Sequence, residues 1–249
     1  MIKNGYYIII FIISIAFVYY FNELFETVDE SINSRTLEND GFCVLQNDKY
    51  IDTENFPCNE LRDNVMSKLP KGYILMDYVY KIQNVALSTF HRDVTSSKNI
   101  YKTQHPVYTL ILYKSGGDLL SVCPRSNQSY PFVWSQIVNI HGKPGTAFLF
   151  DCDLLHAGCT NNCNKRDVIQ YKICHTDDLD KLSHLQGVRA MKTDVCKITN
   201  YGIIMRKLSY LCEFPINYIF YPLMIQREDS NSIIGKIQSF IPIQYYNNV

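Results

Sequence analysis

The central part of the chain is a succession of short β-rich runs, and this feature constrains the fold most. Between residues 73 and 174 the runs are YILMDYVYKI, NVALSTF, VYTLILY, DLLSVC, TAFLF and VIQYKIC. Clusters of Gly, Pro, Asn and Ser separate them, as is typical of turns. Many short strands without helices between them predict a mainly β fold, either an antiparallel barrel or a jelly roll.

Helical patterns flank this β region. The segment from Asn59 to Leu69 places apolar residues at helical spacing and ends at Pro70 and Gly72, so it predicts a leading helix. After about Asp177 the segments KLSHLQGVRAMK and NYGIIMRKLSYLCEF also predict helices, which we expect to pack on the β core. Charged side chains interrupt residues 203–214, so that segment is interpreted as a core helix rather than a membrane span.

The apolar run from Tyr6 to Phe21 is the candidate for a membrane helix. It is shorter than the roughly 20 residues of a typical span, but tyrosines suit both interfaces and the following residues can extend it. We expect an uncleaved anchor; a cleaved signal peptide and a buried helix of the folded domain are the alternatives. Lys3 precedes the run and acidic residues follow it, which predicts a cytoplasmic N-terminus and a lumenal or extracellular domain.

These patterns divide the chain into four parts. Residues 1–25 are the predicted membrane anchor, and residues 26–40 a polar stem. Residues 41–180 are the predicted β core with its leading helix, and residues 181–249 a C-terminal helical extension.

Charge and cysteine content bear on partners and compartment. With 24 basic and 24 acidic side chains the formal net charge is zero, so no nucleic-acid partner is expected. Nine cysteines and the sequon at Asn127 suit a lumenal protein with a few disulfides, although the odd cysteine count weakens that interpretation.

A His-x-Asp sequence ends the run NVALSTF. His91 and Asp93 would point to one side of a strand that continued through them, and His156 closes a second run, TAFLFDCDLLH. Two imidazoles and one carboxylate on one face, with three positions open, is the ligand set of non-haem Fe(II) oxygenases. Ten residues after His156, Arg166 opens the strand VIQYKIC, where a guanidinium can hold a dicarboxylate.

Across residues 89–176 the sequence resembles the phytanoyl-CoA dioxygenase family of Fe(II)- and 2-oxoglutarate-dependent oxygenases. HRD is similar to the first two ligands of that family, and GGDLLSVCPRSN to its Gly-rich turn, strand and Pro-containing loop. KPGTAFLFDCDLLHAG is similar to the Pro-Gly-led strand that ends in the distal histidine. NNCNKR resembles the loop that leads to the 2-oxoglutarate-binding arginine.

The resemblance implies a double-stranded β-helix core of the jelly-roll, cupin-like type. It implies that His91, Asp93 and His156 bind Fe(II) and that Arg166 binds the C5 carboxylate of 2-oxoglutarate, with Lys165 as the nearest competitor. The implied reaction couples decarboxylation of 2-oxoglutarate to hydroxylation of a substrate, with ascorbate as a supporting reductant. The substrate class stays open among small molecules, lipids, glycans and protein side chains.

Two positions depart from the family pattern. The loop at residues 124–127 reads Pro-Arg-Ser-Asn where the family has Gly-Ser-His, and Gly158 stands where a serine is common. The first departure concerns contacts to the substrate, and the second concerns a hydrogen bond to the co-substrate.

Two other interpretations stay open. One is a catalytically inactive jelly-roll scaffold or binding protein tethered to the membrane. The other is a structural zinc site, with three cysteines and one histidine as ligands: Cys152, His156, Cys159 and Cys163.

The remaining polar candidates are predicted to have no metal-binding role. Asp151 and Asp153 are expected to be solvated loop residues. The other four histidines lack carboxylate or cysteine partners at ligand spacing and are expected to be surface or core residues: His105, His141, His175 and His184.

Overall fold

A computed structural model describes residues 8–15, 27–28, 34–84, 89–130, 133, 135–159, 166–193 and 200–213. The strands are β1 (Thr27–Val28), β2 (Phe42–Gln46), β3 (Tyr73–Leu75), β4 (Tyr78–Gln83), β5 (Tyr108–Tyr113), β6 (Gly117–Val122), β7 (Val138–Gly142), β8 (Thr146–Asp151), β9 (His156–Gly158), β10 (Asp167–His175) and β11 (Val188–Thr193). The helices are α1 (residues 8–15), α2 (Leu37–Asp40), α3 (Asn59–Met66), α4 (Lys98–Tyr101) and α5 (Asn200–Leu211).

The strands form two sheets. The larger sheet has the order β11-β4-β10-β5-β8-β2, with β3 also paired to β10, and most of its pairs are antiparallel. The smaller sheet has the order β1-β7-β6-β9. The fold is therefore mainly β with flanking helices, as predicted, and two sheets around a common core are consistent with a jelly-roll-like arrangement.

The alternation of side chains along the central strands builds two apolar layers. In β8, Phe148 and Phe150 point between the two sheets, whereas Ala147 and Leu149 point to the outer face of the larger sheet. Each fully buried phenylalanine contributes on the order of 1.5–3 kcal/mol to stability. Because both faces of β8 are buried, its sequence is almost continuously apolar.

Helix α3 covers the outer face of the larger sheet. Its apolar positions Leu61 and Val65, one helical turn apart, are fully buried in the same cluster as Leu149. The helix ends at Met66, and Ser67 follows as its C-cap, so the predicted helix is present but ends three residues before Leu69.

The C-terminal region differs in part from the prediction. Helix α5 forms within NYGIIMRKLSYLCEF, as expected. Within KLSHLQGVRAMK, Asp180–Leu185 is a 3₁₀ helix, but Val188–Thr193 is strand β11, so the helix predicted there was wrong. The physical reason is that β11 pairs in parallel with β4 along its full length, and this pairing overrides helix propensity.

The N-terminal segments are described only in part. Residues 8–15 are helical with exposed apolar side chains, and the remaining residues of the run Tyr6–Phe21 lie outside the described residues. In the described part of the chain, no helix has both the length and the apolarity needed to cross a membrane. In the segment predicted as a stem, α2 forms and Arg35 pairs with Asp40 at 2.8 Å.

Candidate metal centre

The structure brings His91, Asp93 and His156 together, with their ligand atoms all within 4.8 Å of one another. His156 begins β9, and His91 faces it in an isolated antiparallel bridge in which each backbone N–H donates to the other carbonyl at 3.0 Å. The Asp93 N–H donates to the carbonyl of Cys152 at 2.8 Å. The backbone of residues 91–93 is therefore held by residues 152–156, but no continuous strand runs through His91 and Asp93.

Both imidazoles are oriented by the backbone. Nδ1 of His91 lies 2.8 Å from the carbonyl of Thr89, and Nδ1 of His156 lies 2.9 Å from the carbonyl of Leu154. Since a carbonyl only accepts, each Nδ1 carries the proton and each Nε2 keeps its lone pair. Those Nε2 atoms lie 3.9 and 3.7 Å from Oδ1 of Asp93.

The second carboxylate oxygen of Asp93 is held by neighbouring side chains. Oδ2 accepts hydrogen bonds from Lys172 Nζ at 2.7 Å, from the Thr109 hydroxyl and from Gln170 Nε2 at 3.4 Å. Lys172 is only 1% exposed and also donates to Thr109 at 2.8 Å. Oδ1 therefore remains directed at the two imidazoles, because the other oxygen is fully engaged.

Burial and charge fix the protonation states of the three side chains. Burial and the neighbouring His91 lower the pKa of His156 to about 3, and burial also lowers the pKa of His91. Burial alone would raise the pKa of Asp93, but Lys172 and the two histidines hold it well below its usual value. Two neutral imidazoles and one carboxylate therefore face one point at neutral pH.

This donor set fits a divalent first-row metal ion. The separations of 3.7 and 3.9 Å are longer than hydrogen bonds of 2.7–3.2 Å, so the imidazoles and the carboxylate do not satisfy one another. A metal ion with bonds of about 2.0–2.2 Å would lie between them after a small contraction. Two histidines and one carboxylate form the facial triad typical of non-haem Fe(II), which leaves coordination positions for other ligands.

Arg166 lies beside this centre and not at the surface. Its guanidinium is 7% exposed and donates to the Tyr113 hydroxyl at 2.9 Å, while burial raises the pKa of Tyr113 to about 12 and Arg166 opposes that rise. Among the described residues, Nε of Arg166 is buried with no hydrogen-bond partner. A buried, unsatisfied donor on a guanidinium is suited to an anionic ligand such as a carboxylate.

Gly158 lies beside Arg166 and shares strand β9 with His156 of the triad. It follows His156 by two positions in β9, so both residues face the same side of the strand. A Cβ at position 158 would lie 3.0–3.2 Å from three guanidinium atoms of Arg166. A side chain at position 158 would therefore require the Arg166 guanidinium to shift.

Two charged side chains of the site were not predicted from the sequence, Lys172 and Arg206. Lys172 shares the inner face of β10 with Gln170, while Ile169, Tyr171 and Ile173 fill the outer layer. The two-residue periodicity of VIQYKIC was the signal that could have identified this buried lysine.

Arg206, the second missed residue, comes from α5. It donates to the Ser121 hydroxyl at 2.7 Å and to the Gly158 carbonyl at 3.3 Å, and its guanidinium lies 4.5 Å from the Phe90 ring centroid. No local sequence signal places this arginine at the centre.

Arg92, between the two candidate ligands, has a structural role. Its fully buried guanidinium donates to Oε1 of Glu213 at 2.6 and 3.0 Å and to the carbonyl of Ser126 at 2.8 Å. The Phe90 N–H donates to the Ser209 hydroxyl at 2.8 Å. The C-terminal region thus holds the loop that carries His91 and Asp93.

The described cysteines of the predicted zinc site have other contacts in the structure. Cys152 contacts Lys172 and Ser96, Cys159 contacts Ser121 and Asn139, and Cys163 lies outside the described residues, so the described part of the chain forms no Cys3His site.

Asp153 was expected to be solvated, but it is only 3% exposed and accepts from Ser97 and Asn99, so that expectation was wrong. At Asn127, Nδ2 of the predicted sequon donates to Asp151 at 3.1 Å. The amide nitrogen that glycosylation would modify is therefore already engaged within the fold.

Three of the remaining histidines are also closer to carboxylates than expected. His105 and His175 lie together with Asp177, and His141 lies 2.8 Å from Oδ1 of Asp118. The expectation that these histidines have no carboxylate partner was wrong.

Comparison with known proteins gives structural likenesses only. No protein-family model matches the chain, and no curated protein matches it. The solved structures that it resembles include EvdMO1, with 14% identity and a TM-score of 0.42 over 58% of this chain and 49% of that chain. The match therefore spans about half the length of EvdMO1.

Two other solved structures give similar values. One is the non-heme alpha ketoglutarate dependent epimerase SnoN from nogalamycin biosynthesis, with 10% identity and a TM-score of 0.41, over 59% of this chain and 82% of that chain. The other is HygX from Streptomyces hygroscopicus with nickel and 2-oxoglutarate bound, with 11% identity and a TM-score of 0.40, over 65% of this chain and 91% of that chain.

Proposed function

We propose that this chain is an Fe(II)- and 2-oxoglutarate-dependent dioxygenase that hydroxylates a substrate. The observation that carries this proposal is the convergence of two Nε2 lone pairs and one carboxylate oxygen, His91, His156 and Asp93, beside the buried guanidinium of Arg166. The bound Fe(II) and 2-oxoglutarate would supply oxygen activation, coupled to decarboxylation of the co-substrate.

The side chains of this protein orient and shield the reaction. The backbone carbonyls of Thr89 and Leu154 fix the tautomer of both imidazoles, with Nε2 available for the metal, and burial keeps the rings neutral. Lys172 holds Asp93 ionised and leaves one of its oxygens for the metal. Arg166 would pair with the C5 carboxylate of 2-oxoglutarate at a buried position, where an ion pair is stronger than in water.

Membrane attachment and substrate class complete the proposal. The apolar run Tyr6–Phe21 supports an N-terminal anchor, with the cytoplasmic N-terminus and the lumenal or extracellular domain that the flanking charges favour. The substrate would be a small molecule, a lipid, a glycan or a protein side chain. The family-specific loop at residues 124–127 differs here, so the residues around it, rather than the metal ligands, would determine that choice.

The test is turnover of 2-oxoglutarate by the purified full chain in detergent. With Fe(II) and ascorbate, we expect succinate formation that falls at least 100-fold in His91→Ala and in Asp93→Ala. His141→Ala is the matched control, because His141 is an exposed histidine that also pairs with an aspartate. A wild-type protein that binds no iron and forms no succinate with any candidate substrate would support the inactive scaffold instead.

A further inference from the structure

A second group of metal-ligating side chains lies outside the centre described above. His105 precedes β5, His175 ends β10, and Asp177 lies in the 3₁₀ turn that follows β10. One ligand atom from each of these residues lies within 4.8 Å of the other two. We propose that His105, His175 and Asp177 form a surface zinc site, with water completing the coordination.

The distances favour a metal ion over hydrogen bonds within the cluster. Oδ2 of Asp177 lies 3.4 Å from Nδ1 of His175 and 3.7 Å from Nε2 of His105. The separation of 3.7 Å exceeds a hydrogen bond, and both separations are longer than the 2.8 Å of the hydrogen-bonded His141–Asp118 pair. Tetrahedral zinc with bonds of about 2.0–2.1 Å places neighbouring ligand atoms about 3.3 Å apart, close to the observed values.

The lone pair of His175 points toward the proposed ion. Its Nδ1 accepts the Asp177 N–H at 3.3 Å, so this nitrogen is unprotonated and faces the aspartate. Its Nε2 faces Gly72, where any side chain would collide with the ring. Nδ1 is therefore the ligand atom, and zinc would replace a long hydrogen bond.

The backbone that carries His105 is fixed relative to the turn that carries Asp177. The buried carboxylate of Asp178 accepts the Gln104 N–H at 2.7 Å and the His105 N–H at 2.8 Å. The His105 ring is stacked on His175 with centroids 3.9 Å apart, and its side chain is 38% exposed. Binding of a shared ion would require the His105 ring to turn out of this stack, and it would join the end of β10 to the segment before β5.

The experiment is zinc binding by the full chain, with inductively coupled plasma analysis for stoichiometry and calorimetry for affinity. Zinc can also bind at the buried triad of His91, Asp93 and His156. The test therefore compares the zinc bound by each variant with the zinc bound by wild type. We expect His105→Ala and Asp177→Asn each to bind one zinc ion fewer than wild type, or to bind it at least 10-fold more weakly. His141→Ala should match wild type, because it removes an exposed histidine from a pair with no third ligand.

Cobalt provides a second readout. In wild type, Co²⁺ should give the intense visible bands of tetrahedral coordination, and these should be absent in His105→Ala and Asp177→Asn. Equal zinc content and equal cobalt spectra in wild type and both variants would overturn the proposal, as would an equal loss in His141→Ala. The result is independent of the proposed oxygenase function, because neither substituted residue contacts the triad and succinate formation is measured separately.

Discussion

The chain contains the sequence His-x-Asp at residues 91–93 and again at residues 175–177, and the fold adds one distant histidine to each. At the first cluster His156 is 3% exposed, and the side chain of Asp93 is 11% exposed. At the second cluster the side chain of Asp177 is 58% exposed. The same three residue types therefore occupy a buried site and a surface site in one protein.

The difference shows what surrounding groups contribute to a cluster of this kind. Asp93 has Lys172 and Thr109 on its outer oxygen, and both imidazoles of its cluster are held by backbone carbonyls. Asp177 has neither a buried cation nor a dry environment. We infer that the first cluster is suited to chemistry on bound ligands and the second to holding an ion.

The largest effect on stability is expected from removing the carboxylate charge at the buried cluster, and the same change at the surface cluster is the comparison. In metal-free protein, Asp93→Asn should lower the free energy of unfolding by about 3 kcal/mol, because it leaves Lys172 charged and buried without its partner. Asp177→Asn should change it by less than about 0.5 kcal/mol. Guanidinium denaturation with a chelator measures both, and equal effects would contradict the contrast between the clusters.

The next largest effect on stability is expected from removing the positive charge of Lys172. Lys172→Met should destabilise the metal-free protein by about 2–3 kcal/mol, because Asp93 then lacks a counter-charge. Anaerobic Fe(II) should recover at least half of this loss, since the metal ion would neutralise the same carboxylate. Lys192→Met, at an exposed position of β11, is the control and should have no effect. A loss that metal does not reduce would argue against Fe(II) binding at Asp93.

A carboxylate whose pKa is raised should behave in the opposite way. Burial and the neighbouring Asp153 raise the pKa of Asp151 to about 6. A raised pKa means that the stabilising contribution is complete below the unfolded value near 3.8 and is lost as the pH rises through 6. Relative to Asp151→Asn, wild type should lose up to about 1.4 kcal/mol per pH unit between pH 4 and 6.

Denaturation midpoints of the two proteins across this range measure the effect. The comparison with Asp151→Asn is needed because His91 and His156 change the stability of the protein with pH in the opposite direction. Burial lowers both of their pKa values, so their stabilising contribution is lost as the pH falls below 6.5. A constant difference between wild type and Asp151→Asn would contradict the prediction.

The smallest effect is expected where the buried cluster meets Arg166. In Gly158→Ala the added methyl group would lie 3.0–3.2 Å from the guanidinium, so Arg166 must shift. We expect the KM for 2-oxoglutarate to rise about 5-fold, equivalent to roughly 1 kcal/mol, with the affinity for Fe(II) unchanged. Steady-state kinetics and metal titration measure the two quantities. An unchanged KM would indicate that Arg166 does not bind the co-substrate.

Much of the secondary structure was predictable because local patterns determine it. Short β-rich runs between turn residues marked the central strands, and helical spacing marked α3. The short strands β7, β9 and β11 were not predicted, because pairing with neighbours stabilises them more than their own sequences do. The proposed anchor and the four-part division of the chain stay predictions.

The sequence by itself determined the residue types of the candidate centre and their order along the chain, and the resemblance to a known family gave that order a chemical meaning. The sequence did not identify the second His-x-Asp cluster, because the third ligand, His105, comes from another part of the chain. Only the tertiary structure decided that Lys172 is buried against Asp93, that Arg206 reaches Gly158, and that His105 meets His175. The physical reason is that these contacts depend on which strands pair and which faces turn inward, and both are set by packing of the whole domain.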